Sequence, residues 1–178
     1  MSRTRRLAIL STGGTIEKTY DPFDGALQNR FSVLDTIIGG LELPNTELSR
    51  VQLMNKDSLD MSEADHELIA TTAQAKAKTY DGVVVVHGTD RLAITGERIY
   101  ALDPSPAAPI VLTGAMRPWE LRNTDAVQNF TEALLACKFL PSGVYAVLHN
   151  EVLTFPGVQK NRREARFTRD VPPVPEGA

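Results

Sequence analysis

One cysteine in 178 residues, Cys137, leaves no partner for an internal disulfide and no cysteine cluster for zinc. Its neighbours Ala133-Leu134-Leu135-Ala136 are apolar, so it reads as core filling. No apolar run approaches the ~20 residues of a membrane span. The basic start Met1-Ser2-Arg3-Thr4-Arg5-Arg6 meets only Leu7-Ala8-Ile9-Leu10 before the glycines, too short for a secretory leader. Charge of one sign is lacking too: 19 Lys and Arg face 22 Asp and Glu, in no long run. That argues against the basic stripe of a nucleic-acid or anionic-membrane surface. Phosphate-cradling Gly-x-x-x-x-Gly-Lys and dinucleotide-binding Gly-x-Gly-x-x-Gly spacings are absent. His66 and His149 have no partners at ligand spacing, so neither metal nor cofactor is expected. The expectation is a cytoplasmic protein without nucleic-acid or membrane partner. The length favours a single domain over residues 1–178.

What is present is a set of short, uninterrupted apolar segments: Leu7–Leu10, Val83–Val86, Ile110–Leu112 and Val144–Leu148. Uninterrupted runs mark strands covered by helices on both faces. Val51-Gln52-Leu53-Met54 is shorter and partly alternating, the pattern of an edge strand. Ser62-Glu63-Ala64-Asp65 resembles a capping box with Asp in place of Glu and predicts a helix to about Tyr80. A second helix is predicted over Leu92–Leu102, stopped by Asp103-Pro104. A third starts near Asn123-Thr124 and is expected to bury Val127, Phe130, Leu134 and Cys137. This alternation predicts an α/β fold: an open, mostly parallel Rossmann-like sheet with helices on both faces. From about Lys160 the signal fades into a charged stretch and a proline-rich tail, residues 171–178, expected to be poorly ordered.

Two of the strands end in threonine-bearing loops, Ser11-Thr12-Gly13-Gly14-Thr15-Ile16 and Val86-His87-Gly88-Thr89-Asp90. Ligands of open parallel sheets bind outside the carboxyl ends of the strands. Two hydroxyls delivered to one crevice suggest nucleophilic chemistry, given a helper. Alone, each loop also fits a plain strand-to-helix turn with a capping Thr or Asp, and His87 fits a packed strand-end histidine. Taken together they are more specific. The sequence resembles the bacterial-type L-asparaginase/glutaminase family, Thr12–Ile16 its first signature and Val86–Asp90 its second. Tyr20-Asp21-Pro22-Phe23-Asp24-Gly25-Ala26-Leu27 is similar to the tyrosine-bearing loop of the cytoplasmic branch. Asp57-Ser58-Leu59-Asp60-Met61 resembles the substrate-binding Asp-Ser segment. Val111-Leu112-Thr113-Gly114-Ala115-Met116-Arg117-Pro118 looks like the strand and turn after the second signature, with Glu120-Leu121-Arg122, Asp125 and Asn129 following.

The resemblance implies hydrolysis of L-asparagine to L-aspartate and ammonia, and leaves room for weak glutaminase activity. Thr15 would be the nucleophile of an acyl-enzyme, with Tyr20 closing over the site to hydrogen-bond its hydroxyl. Thr89 would be the second catalytic hydroxyl, with Asp90 in its hydrogen-bonded group. Ser58 would hold the substrate carboxylate. Asp57 joins that substrate-binding set but reads first as a turn residue. Gly14 and Gly88 would let backbone approach substrate, leaving N–H groups free as oxyanion donors.

Three departures stand out. A lysine that the family resemblance places before the proline of the third strand is absent, the stretch reading Ala107-Ala108-Pro109. Lys160 is the best substitute as helper of Thr89. Leu59 stands where a polar residue often helps bind the substrate ammonium. Only the larger N-terminal domain is matched; the small C-terminal domain, expected to be absent, would normally supply contacts to a neighbour's site. A homo-oligomer, dimer or tetramer, is the expected compensation, with the stretch Arg162–Arg169 or the tail serving a neighbour. Two alternatives stay open: an amino-acid-amide sensor without turnover, and an amidase for a related linear amide such as an asparaginyl peptide or a tRNA-amidation donor.

Overall fold

The computed structural model describes residues 3–30 and 32–170. In chain order the elements are β1 (Arg5–Gly13), β2 (Thr19–Asp21), β3 (Ala26–Gln28), α1 (Leu34–Gly39), β4 (Thr46–Lys56), α2 (Glu63–Ala77), β5 (Gly82–Val86), α3 (Leu92–Leu102), β6 (Ile110–Thr113), α4 (Ala126–Phe139), β7 (Val144–Leu148), β8 (Glu151–Thr154), β9 (Val158–Asn161) and β10 (Arg166–Arg169). The main sheet runs β4-β1-β5-β6-β7-β8, parallel except for β8.

Side chains alternate across this sheet, so successive residues of one strand serve two cores. Ala8 and Leu10 of β1 pack with Val83 and Val85 of β5 beneath α2 and α3. Leu7, Ile9, Val84 and Val86 pack on the other face against α1 and α4. The sheet is therefore covered on both sides, the α/β arrangement the uninterrupted apolar runs imply. From β1 the chain goes out to edge strand β4, then returns to pair β5 on the other side of β1. That reversal makes the carboxyl ends of β1 and β5 a topological switch point, where such sheets bind ligands. Both threonine loops leave from it.

The capping box forms: the Ser62 hydroxyl accepts from the Asp65 N–H while the Asp65 carboxylate accepts from the Ser62 N–H. Three expectations need correction. The edge strand β4 spans Thr46–Lys56, well beyond Val51–Met54, because it pairs with β1 along Arg5–Gly13 even where its sequence alternates. Val127 is 38% exposed, since α4 starts after Asp125 and turns Ala126, Phe130, Ala133, Leu134 and Cys137 inward. The segment from Lys160 is structured: β9 and β10 form an antiparallel hairpin, anchored by buried Val158 and Phe167. The tail 171–178 lies outside the described residues.

Candidate active site

Glycine makes the centre of the site. Gly13 and Gly14 adopt φ of +100° and +81°, a region L side chains avoid. A Cβ on Gly14 would lie 2.4 Å from the Gly88 Cα, and one on Gly88 would lie 2.6 Å from the Ser58 Oγ. The first loop thus rests directly on the second, and the second on the turn at Ser58–Asp60. Three segments distant in sequence meet here: the Gly14 and Gly88 backbones touch directly, and the Ser58 side chain packs onto Gly88. The Gly14 N–H donates to the Lys56 carbonyl at 2.9 Å, so it is not the free oxyanion donor expected. The Thr15 and Thr89 N–H groups donate to no acceptor among the described residues.

Thr15 opens a single 3-10 turn, Thr15–Glu17, and is half-buried. Thr89 is buried, 3% exposed. The Lys160 ammonium donates to the Thr89 Oγ1 at 2.7 Å and to the Asp90 Oδ1 at 3.1 Å. The β9–β10 hairpin thus carries Lys160 back onto the loop after β5. Position 108 could not serve: it precedes β6 at the amino end of the sheet, where Ile110 pairs with Val83 and Thr113 with Val86. At about 3.3 Å per residue it stands roughly 15 Å down the sheet from Thr89. The absence of lysine there removes nothing from this site.

Arg162 also lies on the Asp90 Oδ1, at 3.1 Å, within its own chain. Arg91, beside Asp90 in sequence, donates instead to the Met61 carbonyl at 2.6 Å. Ser58 is 1% exposed, against Gly88. Asp57 caps its turn, accepting from the Leu59 N–H at 3.0 Å, and pairs with Lys18 at 2.6 Å. Partial burial pushes the Asp57 carboxyl up, but the hydrogen bonds from Lys18 and Leu59 outweigh this and hold it below the usual carboxylate range. It stays ionised, and its carboxylate is already engaged on both counts.

Tyr20 lies on the β2–β3 hairpin, 58% exposed, and no hydrogen bond joins it to Thr15 among the described residues. The expected contact is therefore not made in this conformation. The hairpin is pinned instead through the Tyr20 N–H, which donates to the Glu120 carboxylate at 2.6 Å. Across the crevice, Asp125 accepts from the Met116 and Arg117 N–H groups at 2.9 and 2.8 Å and from His149 at 2.7 Å. Lys18, Glu120, His149 and Arg162 carry no local sequence signal of these roles, because each acts through a partner distant in the chain.

The asparaginase N-terminal family matches residues 6–175. An L-asparaginase of Thermococcus kodakarensis is 29% identical over 160 residues, covering 87% of this chain and 47% of that protein. A glutamyl-tRNA(Gln) amidotransferase subunit of Pyrobaculum aerophilum is 37% identical over 129 residues, covering 71% of this chain and 30% of that protein. Among solved structures, the thermostable T. kodakarensis L-asparaginase aligns with a TM-score of 0.81 at 27% identity, over 92% of this chain and 51% of that one. The chain thus spans about half or less of the length of these relatives.

Proposed function

The chain belongs to the asparaginase family, and on that premise we propose that it hydrolyses the side-chain amide of L-asparagine through Thr15. The Thr15 oxygen attacks the amide carbon, and the C–N bond breaks with the Thr15 proton passing to the departing ammonia. Water then cleaves the Thr15 ester to give aspartate and restore the hydroxyl. In the first step the Tyr20 hairpin swings in to meet the Thr15 hydroxyl and exclude water. Lys160 and Asp90 polarise the Thr89 hydroxyl as the second proton-handling group. The N–H groups of Thr15 and Thr89 receive the developing oxyanion. Ser58 holds the α-carboxylate, while Asp57 acts through the turn that presents Ser58.

The observation that carries this reading is the Lys160 ammonium 2.7 Å from the Thr89 hydroxyl and 3.1 Å from Asp90. A pure amide sensor has no use for that arrangement. A cytoplasmic homo-oligomer acting on a small molecule completes the proposal. The test is ammonia release from asparagine and glutamine by the wild type, Thr15→Ala and Thr89→Val. Loss in both variants is expected. Equal activity in Thr15→Ala overturns the nucleophile, and asparagine binding without ammonia release moves the reading to a sensor. A second reading, release of ammonia from glutamine as a tRNA-amidation donor, draws on the similarity to the glutamyl-tRNA(Gln) amidotransferase chain. Preference for glutamine over asparagine in the same assay selects it.

A further inference from the structure

Behind the Thr89 loop lies a line of buried polar groups the mechanism does not use. His66 is 1% exposed, and His87 and Thr95 are fully buried. The Thr95 Oγ1 lies 2.7 Å from the His66 Nδ1 and 2.7 Å from the His87 Nε2, and the His87 Nδ1 lies 2.8 Å from the Gly88 carbonyl oxygen. We propose that His66, Thr95 and His87 form a relay with one proton order that holds the Gly88–Thr89 peptide in its working orientation. This makes His66 and Thr95 positioning residues, and it rests on the amidohydrolase reading of the Thr89 loop.

The proton order follows by elimination. A carbonyl only accepts, so His87 carries its proton on Nδ1. Burial keeps the ring neutral, its pKa pushed down to about 4. Its Nε2 is then a bare lone pair and must accept from the Thr95 hydroxyl. Thr95 has one proton, now spent, so its oxygen accepts from the His66 Nδ1–H. The His66 Nε2 is left as a buried lone pair with no partner among the described residues. Reversing any one link sets two lone pairs or two protons face to face.

The consequence falls on the catalytic loop. In a trans peptide the N–H points opposite to the C=O. Fixing the Gly88 carbonyl toward His87 therefore turns the Thr89 N–H the other way, and it meets no acceptor among the described residues. Gly88 has no Cβ to resist a flip of that peptide, so the restraint must come from the far side. The relay supplies it, anchored on α2 through His66 and on α3 through Thr95.

Long-range proton–nitrogen correlation NMR on 15N-labelled protein at pH 7 reads the ring protons directly, with His149 assigned by His149→Gln. His66 and His87 are both expected as the neutral Nδ1–H tautomer, and an Nε2–H ring at either overturns the relay. In Thr95→Val, relaxation dispersion should appear at Gly88 and Thr89, and kcat on asparagine should fall roughly 10- to 100-fold with KM within about twofold. Thr95→Ser should restore both. If Thr95→Val does not fold, His66→Phe cuts the relay at its outer end and is read identically. Unchanged Gly88–Thr89 dynamics and unchanged kcat in a variant with a broken relay would sink the proposal. The NMR signals read out even if the chain releases no ammonia, so failure of the relay and failure of the asparaginase reading are told apart.

Discussion

Lys160 and His87 represent two ways in which one side chain governs this site. Lys160 touches the Thr89 oxygen directly, and Arg162 sits beside it on Asp90. Lys160→Ala should lower kcat on asparagine by ~10²–10⁴-fold, the usual worth of a positioned proton-handling group. Lys160→Arg should not rescue it, because a guanidinium does not give up its proton. Ammonia release decides the matter, and either variant above a tenth of wild-type kcat returns Lys160 to a structural role. His87 acts on stability. Burial holds it neutral to about pH 4, against about 6.5 for a free imidazole. Below pH 6.5 the unfolded chain binds a proton that the native chain refuses, so His87 lowers stability as pH falls, by about 2 kcal/mol at pH 5. His66, its pKa lowered first by burial and further by Arg91 and Arg98 against Glu63 and Asp65, adds in the same direction. Glu17 opposes both, since burial raises its pKa and the native chain gains a proton earlier. Asp57 and Asp65, held below the usual range, give up their contributions only at lower pH. Urea unfolding at pH 7 and 5 should show a larger loss in the wild type than in His87→Asn, which keeps a donor to Gly88 but has no charge to gain; equal losses would remove His87 as the cause.

Between residues and site stand the elements, and α3 does the most. It leaves the Thr89–Asp90 loop, and its middle anchors the turn that launches β9 with Lys160. A Cβ on Gly96 would lie 1.9 Å from the buried Phe155 ring, and Glu97 accepts from the Gly157 N–H at 2.6 Å. Gly→Ala inside a helix normally stabilises by about 1 kcal/mol. Gly96→Ala should instead destabilise by roughly 1–3 kcal/mol through overpacking, and lower kcat by shifting β9. Phe155→Leu in the same chain should recover part of both. A rise in urea midpoint for Gly96→Ala alone would refute this packing account. These dependencies mark the limit of what the sequence reveals. The apolar runs of β1, β5, β6 and β7 and the Ser62–Asp65 cap are local signals and are legible. The β9–β10 hairpin is not, because Lys160, Asn161 and Arg162–Arg166 read as a solvated charged stretch, while only Val158 and Phe167 mark its buried side. The lysine itself is legible as a candidate, but its partner Thr89 lies in a different supersecondary unit, beyond any periodicity. The expectation of a lysine at 108 fails for a geometric reason, the amino end of β6, which only strand register reveals.

At the scale of the whole molecule the sheet has unequal edges. β4 pairs along nearly its full length with β1 and carries charged and polar side chains to solvent. Among the described residues β8 pairs only with β7, and beside it α4 presents Leu135, 52% exposed, and Phe139, 78% exposed, next to Val152 at 49%. With Ala136, Leu140 and Val147 these side chains line a groove of about 230 Å³. Single exposed apolar residues are ordinary on a protein surface, but a contiguous set next to an edge strand is the kind of surface that association would cover. Glu132 and Glu151 at its rim would oppose random stacking and favour one register. A two-fold pairing of this face with its own copy would cover the groove and the β8 edge together, and would leave the Thr15–Thr89 crevice open at the carboxyl ends of β1 and β5. Sedimentation velocity across a hundredfold range of protein concentration should therefore show reversible dimerisation. Phe139→Glu should give a monomer with unchanged circular dichroism, because Phe139 packs so little within its own chain. A wild type that stays monomeric throughout, or a Phe139→Glu chain that still dimerises, would assign this face to another role.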